Sequence, residues 1–137
     1  MNVAFLIYRR PDLTARVFEQ IRMARPERLL LVADGPKDDG ERSICAAARA
    51  VVENVNWPCE VQRNWSEVNL GCRRRVSSGL DWVFGQVEDA IVLEDDCLPA
   101  PSFFTFCRSL LEKYRNEPTV KHIWLPNNNP VEKKAII

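Results

Sequence analysis

Histidine is almost absent from this 137-residue chain: His122 stands alone, and no CxxC pair occurs among the five cysteines. That leaves little room for a Ser-His-Asp triad and no zinc centre of ordinary Cys/His spacing. The chain also lacks a GxxxxGK[ST] phosphate loop, a GxGxxG dinucleotide fingerprint and a GxSxG elbow. Net charge is missing too, because 19 Lys+Arg offset 19 Asp+Glu, which argues against a broad basic surface for nucleic acid. Apolar runs reach only about five residues, against the roughly 20 that span a bilayer. The opening MNVAFLIYRRPD has no basic n-region and too short an apolar stretch for a signal peptide. These absences predict a soluble, cytoplasmic chain with no transmembrane segment and no nucleic-acid partner.

What is present suits one globular domain. Domains commonly run to about 100–150 residues, and 46% hydrophobic residues supply a core. The odd set Cys45, Cys59, Cys72, Cys97 and Cys107 reads as free, packed thiols rather than a disulfide framework. Cys97 follows acidic residues and has no neighbouring base to activate it. The four tryptophans are too scattered for a stacking platform, and His122 lies in an apolar run that suits a structural role.

Two periodicities alternate along the chain. Val3–Ile7 and Leu29–Ala33 are continuous apolar runs, the pattern of buried parallel strands. Cys59–Trp65 alternates like a less buried strand, Ala90–Leu93 is a fourth, and Val120–Leu125 a candidate fifth. Helical spacing lies between them. Pro11 opens a helix with Leu13, Val17 and Ile21 on one face. A second carries Ile44, Ala48, Val51, Val52 and Val55, and a third Val76, Leu80, Val83, Phe84 and Val87. The last carries Phe103, Phe106/Cys107, Leu110 and Tyr114. Strands alternating with helices predict an α/β fold of Rossmann-like type, a parallel sheet with helices on both faces. Ligands of such sheets sit beyond the carboxyl ends of the strands, where the strand order reverses.

That rule gathers the polar residues onto one rim. Glu94-Asp95-Asp96 follows AIVL directly, and three carboxylates cannot stay buried unpaired, so they emerge at the strand end. Hard oxygen donors there suit Mg²⁺ or Mn²⁺ or a sugar hydroxyl, and equally a solvated acidic turn. Asp34, before Gly35-Pro36, is either a turn residue or a contact to a nucleotide base or ribose. Arg9-Arg10 and Arg73-Arg74-Arg75 begin helices, where the dipole disfavours cations. An anionic ligand would account for them, and arginine forks fit phosphate oxygens. Asn69-Leu70-Gly71 supplies a tight turn open to close backbone approach.

In this order, VAFLIYRRPDLTARVFEQI, LLLVADGP, NLGCRRRVSSGLDWVF and AIVLEDDCLPAPSFFTFC resemble the nucleotide-sugar-binding half of GT-A glycosyltransferases. The likeness is to family-2-like bacterial proteins, some with a haemolysin-like designation, and to the N-acetylglucosaminyltransferase I group. It covers about residues 3–123, and the acidic triplet followed by prolines and a Phe-rich helix is its most distinctive part.

The resemblance implies an inverting, metal-dependent transferase that takes a nucleotide-diphosphate sugar, of UDP type, and a glycan or other hydroxyl acceptor. Carried over, Arg9 or Arg10 approaches the phosphates, with Arg75 a further candidate, and Asp34 approaches the base. Asn69 and Gly71 line the nucleotide pocket, Asp95 meets the ribose or sugar, and Asp96 binds Mn²⁺ or Mg²⁺. The family's acceptor site and catalytic base lie beyond the fifth strand. Residues 1–125 are therefore expected to form the donor-binding half of a truncated GT-A domain and 126–137 an irregular tail, with no base to nominate. Two other classes stay open at this point: a non-catalytic nucleotide or nucleotide-sugar binding module, and a partner-dependent interaction protein.

Overall fold

A strand covered by helices on both faces must be apolar at every position, and two segments meet that demand. Val3–Ile7 and Leu29–Ala33 are buried throughout. They form the centre of a computed structural model that describes residues 1–117, 119–120, 124–125 and 135–136. Among these the chain runs β1 (Asn2–Ile7), α1 (Pro11–Ala24), β2 (Arg28–Ala33), a 3₁₀ turn (Asp39–Glu41), α2 (Arg42–Val52) and β3 (Glu60–Trp65). It continues through α3 (Cys72–Phe84), β4 (Ile91–Glu94), α4 (Phe103–Tyr114), β5 (Trp124–Leu125) and β6 (Ala135–Ile136). Each of the first four strands lies within about two residues of its expected bounds. His122 lies outside the described residues.

The strand order is β3-β2-β1-β4-β6-β5. β1 to β4 are mutually parallel, while β6 runs antiparallel to both β4 and β5. The chain steps outward from β1 to β3, then returns through α3 to place β4 on the other side of β1, so the order reverses between β1 and β4. β3 lies at one edge of the sheet, and its residues are exposed or half-buried, in keeping with its less apolar sequence. Ala135–Ile136, expected to be irregular tail, instead pairs with Val92 of β4. A strand edge presents unpaired N–H and C=O groups, and a short apolar segment satisfies them.

Alternate residues of the central strands feed two cores. Val3, Phe5, Ile7, Leu29, Leu31, Ile91 and Leu93 pack with Val17, Phe18 and Ile21 of α1, Val52 of α2, and Phe104 and Cys107 of α4. Ala4, Leu6, Leu30, Val32 and Val92 pack on the opposite face with Val83 of α3 and Val87. The helices are rotated slightly from their expected stripes. Cys45, Ala48 and Val52 face inward on α2 while Ile44 is exposed; Phe84 of α3 and Phe106 of α4 also face solvent. Apolar neighbours on a helix surface leave a choice of roughly 100° of rotation, and contact with the sheet decides it.

α3 approaches the sheet closely because Gly79 has no side chain: a Cβ there would lie 2.7 Å from Cγ1 of Val32. Gly79→Ala is therefore expected to cost about 1–3 kcal/mol through overpacking, seen as a lower urea midpoint with unchanged slope. An unaltered midpoint would show that α3 can move away freely.

Candidate functional site

The carboxyl ends of β1, β2 and β4 and the first turn of α3 surround a solvent-open cavity of about 250 Å³. Its walls are Leu6 and Val32 from the sheet and Val76 from α3, with Tyr8, Arg10, Asp34, Lys37, Asn69, Gly71, Cys72, Arg75, Glu94 and Asp95 supplying polar groups. This volume is near the lower limit for small-molecule sites, enough for one segment of an elongated ligand. The cavity lies beside the β1/β4 reversal, as the topological rule requires. Arg9 and Asp96 are absent from its lining.

Asp34 is nearly inaccessible, and both its oxygens are occupied from within the protein. Oδ1 accepts the backbone N–H groups of Gly35 and Leu70, each at 2.9 Å. Oδ2 accepts the Gly71 N–H and the Asn69 side-chain amide, each at 3.1 Å. The same amide donates to Gly35 O at 3.0 Å. The Asp34 carboxylate thus ties the end of β2 to the turn that launches α3. Gly71 caps α3 at φ 79°, in the left-handed region that favours glycine. Of the sequence-derived candidates, Asp34, Asn69 and Gly71 do come together, with Asp34 as the organiser of the turn.

Arg75 is held in the same way. Its Nε donates to Ala33 O at 3.1 Å, and Nη2 to the backbone oxygen and Oδ1 of Asn64. Burial depresses its pKa, and the nearby Asp34 carboxylate partly restores it. The guanidinium fastens α3 to the ends of β2 and β3.

On the other side of the cavity, Arg10 bridges the acidic motif. Its Nη2 lies 2.6 Å from Oδ1 of Asp95, and its Nη1 lies 3.0 Å from Oδ2 of Asp96. Oδ2 of Asp95 also accepts the Tyr8 N–H at 3.2 Å. Burial raises the Asp95 pKa, opposed by Arg10 and by the Tyr8 hydrogen bond. Asp96 Oδ1 has the weak Cys97 thiol contact at 3.8 Å. Burial pushes the Cys97 thiol up to about 12, so it stays protonated and is no nucleophile.

Arg9 points elsewhere. It pairs with Glu41, which also accepts the Tyr8 hydroxyl and the Lys37 N–H at 3.0 Å. These hydrogen bonds, the Tyr8 one foremost, lower the Glu41 pKa. Tyr8 is shifted upward, chiefly by burial and then by Glu41. Glu41 and Lys37 did not stand out in the sequence. Asp38-Asp39-Gly40-Glu41 has the spacing of a capping box, and the Glu41 N–H does bond Asp38 Oδ1 at 3.2 Å. The Glu41 side chain, however, reaches across to the loop after β1.

The donor set can be tested against a hard divalent cation. Among the described residues no group of three or more His, Cys, Asp or Glu side chains converges as a cage. Mg²⁺-type ions need fewer, commonly one or two carboxylates completed by phosphate oxygens and water. Asp95 and Asp96 meet that requirement, since one oxygen of each already converges on a single cationic group, the Arg10 guanidinium. The cavity lining itself is balanced, with Arg10, Lys37 and Arg75 against Asp34, Glu94 and Asp95. A diphosphate entering it needs additional positive charge. No protein-family model and no curated protein matches the chain.

Two outcomes follow for stability. Asp34→Asn turns an NH₂ group toward N–H donors, and each donor left without an acceptor costs about 1–3 kcal/mol; chemical denaturation reads this loss directly. Asp95 acts in the opposite sense. Because its folded pKa is raised, the ionised carboxylate costs stability above that pKa, and the cost disappears as pH falls toward the unfolded value. Asp95→Asn should therefore melt higher than the wild type at pH 7.5, with the gap closing on acidification. A gap that widens at low pH would reverse the assignment.

Proposed function

We propose that the chain binds a nucleotide-diphosphate sugar at this cavity and serves as the donor-binding part of a metal-dependent, inverting glycosyltransferase of GT-A type. The observation that carries the proposal is the placement of Glu94-Asp95-Asp96. The motif ends β4 at the reversal of strand order, with Glu94 and Asp95 lining the cavity opposite the α3 N-terminus. The ordered motifs along the chain point to the same class.

Asp95 and Asp96 would hold Mn²⁺ or Mg²⁺, which when bound neutralises charge on the departing diphosphate, an effect worth several kcal/mol in general. Arg10 lies within the same cluster and suits a phosphate oxygen. The first-turn amides of α3 and the basic Arg73 and Arg74 add a favourable field for an anion. In the transfer, an acceptor hydroxyl attacks the anomeric carbon from the face opposite the nucleotide. The bond from that carbon to the diphosphate oxygen breaks with its electron pair, and the hydroxyl proton passes to a carboxylate base. No residue of this chain is assigned as that base.

Asp34 and Arg75 support the ligand indirectly on this reading, through the turn and helix that they anchor. None of the five cysteines is joined in a disulfide, which suits a reducing compartment, and no described helix is long and apolar enough to cross a membrane. A cytoplasmic setting is part of the proposal and rests on the thiols alone.

The test is calorimetric titration of UDP with Mn²⁺. Asp96→Asn keeps the side-chain size and removes the anionic ligand, so affinity should fall at least about tenfold, roughly 1.4 kcal/mol. Cys97→Ser, at a buried thiol, should bind as the wild type does. Equal affinity in Asp96→Asn, or indifference to a chelator, would remove the metal role. Failure to bind UDP or any other nucleotide, with Mn²⁺ present, would favour the interaction-protein class.

A further inference from the structure

Arg10 already spends both ends of its guanidinium fork on Asp95 and Asp96. If it is to contact phosphate while Asp95 and Asp96 hold a cation, its present bonds to both carboxylates must break. Its backbone has little freedom to assist. Arg10 precedes Pro11, which restricts its own conformation, and its carbonyl accepts the Thr14 N–H at 2.8 Å. The side chain, by contrast, is half exposed and already lines the cavity. A rotation of the side chain alone would carry the guanidinium away from the carboxylates and into the cavity.

The energetic consequence depends on what else is bound. A divalent cation arriving alone must displace a guanidinium that makes two charge-assisted bonds, and that guanidinium then faces a nearby positive ion with no phosphate to receive it. A cation arriving with a diphosphate displaces the same group onto phosphate oxygens, and the lost bonds are replaced. We propose that Arg10 is an internal counter-cation for Asp95 and Asp96, and that its transfer from carboxylate to phosphate makes metal and diphosphate binding mutually dependent. The inference rests on the nucleotide-sugar reading above. Linkage requires the dependence to be reciprocal: whatever factor UDP contributes to Mn²⁺ affinity, Mn²⁺ contributes to UDP affinity. The device also keeps buried Asp95 paired when the site is empty, which matters because an uncompensated buried carboxylate is costly.

The experiment measures Mn²⁺ affinity by electron paramagnetic resonance, with and without UDP, on the full chain. In the wild type, UDP should tighten Mn²⁺ about tenfold or more, within the usual range of coupling between sites. Arg10→Met removes the competing charge and keeps the length. It should bind Mn²⁺ alone about tenfold more tightly, with the UDP effect reduced to less than about threefold. Arg10→Lys keeps a charge beside Asp95 but has no fork to span both carboxylates, so it should show the same changes at smaller amplitude. Arg28→Met removes a charge that pairs with Glu60 at the opposite end of the sheet, and it should match the wild type in both measurements. Wild-type coupling together with Mn²⁺ binding no tighter in Arg10→Met and Arg10→Lys would overturn the counter-cation role and leave the nucleotide-sugar reading standing. A wild type with no Mn²⁺-dependent UDP binding would overturn that reading, and this inference with it.

Discussion

A carboxylate buried at the end of a strand must find donors, and Asp34 finds four of them on residues 35 and 69–71. The rest of the site hangs from this arrangement. By gripping the Asn69–Gly71 turn, Asp34 sets where α3 starts and brings Gly71 into its left-handed conformation. The start of α3 determines where Arg75 can reach Ala33 and Asn64. Gly35 completes the fit, since a Cβ on it would lie 2.5 Å from the Val68 backbone. One wall of the cavity is therefore made of backbone held by a charge, and its shape is part of the fold.

The opposite wall is held by ion pairing of a different kind. Asp95 is almost wholly buried, yet its partner Arg10 is half exposed. A burial cost raises the carboxylate pKa, so this side of the site is maintained at some expense to stability. Such an arrangement is common where a group is kept for binding rather than for packing. A rigid turn on one side and an exchangeable cation on the other divide the site into a fixed half and an adjustable half.

Most of the architecture was legible in the chain because buried parallel strands and amphipathic helices leave unmistakable periods. Val3–Ile7 and Leu29–Ala33 read as buried strands and Cys59–Trp65 as a less buried one, while the order that makes β3 an edge came from the tertiary structure. The helix faces were less legible: Ile44, Phe84 and Phe106 look like core residues by spacing and lie in solvent. The site was legible in position more than in role. Asp34, Asn69, Gly71, Arg75, Arg10 and Asp95 do line one cavity. Arg9, however, is drawn away by Glu41, a residue whose local signature suggests only a helix cap.

The sequence by itself determined which segments are strands and helices, and that the polar residues would collect at the strand ends. Both follow from local rules, since burial demands apolar periodicity and charged groups must leave the core. Only the tertiary structure decided which charge meets which. That Arg10 reaches Asp96, 86 residues further along the chain, and its neighbour Asp95 depends on β1 lying beside β4. That Asp34 is spent on the turn before α3 depends on a contact 35–37 residues away. Hydrogen bonds and ion pairs are short-ranged and directional, so a partner is chosen by the last few ångströms of packing, a distance that no one-dimensional pattern encodes.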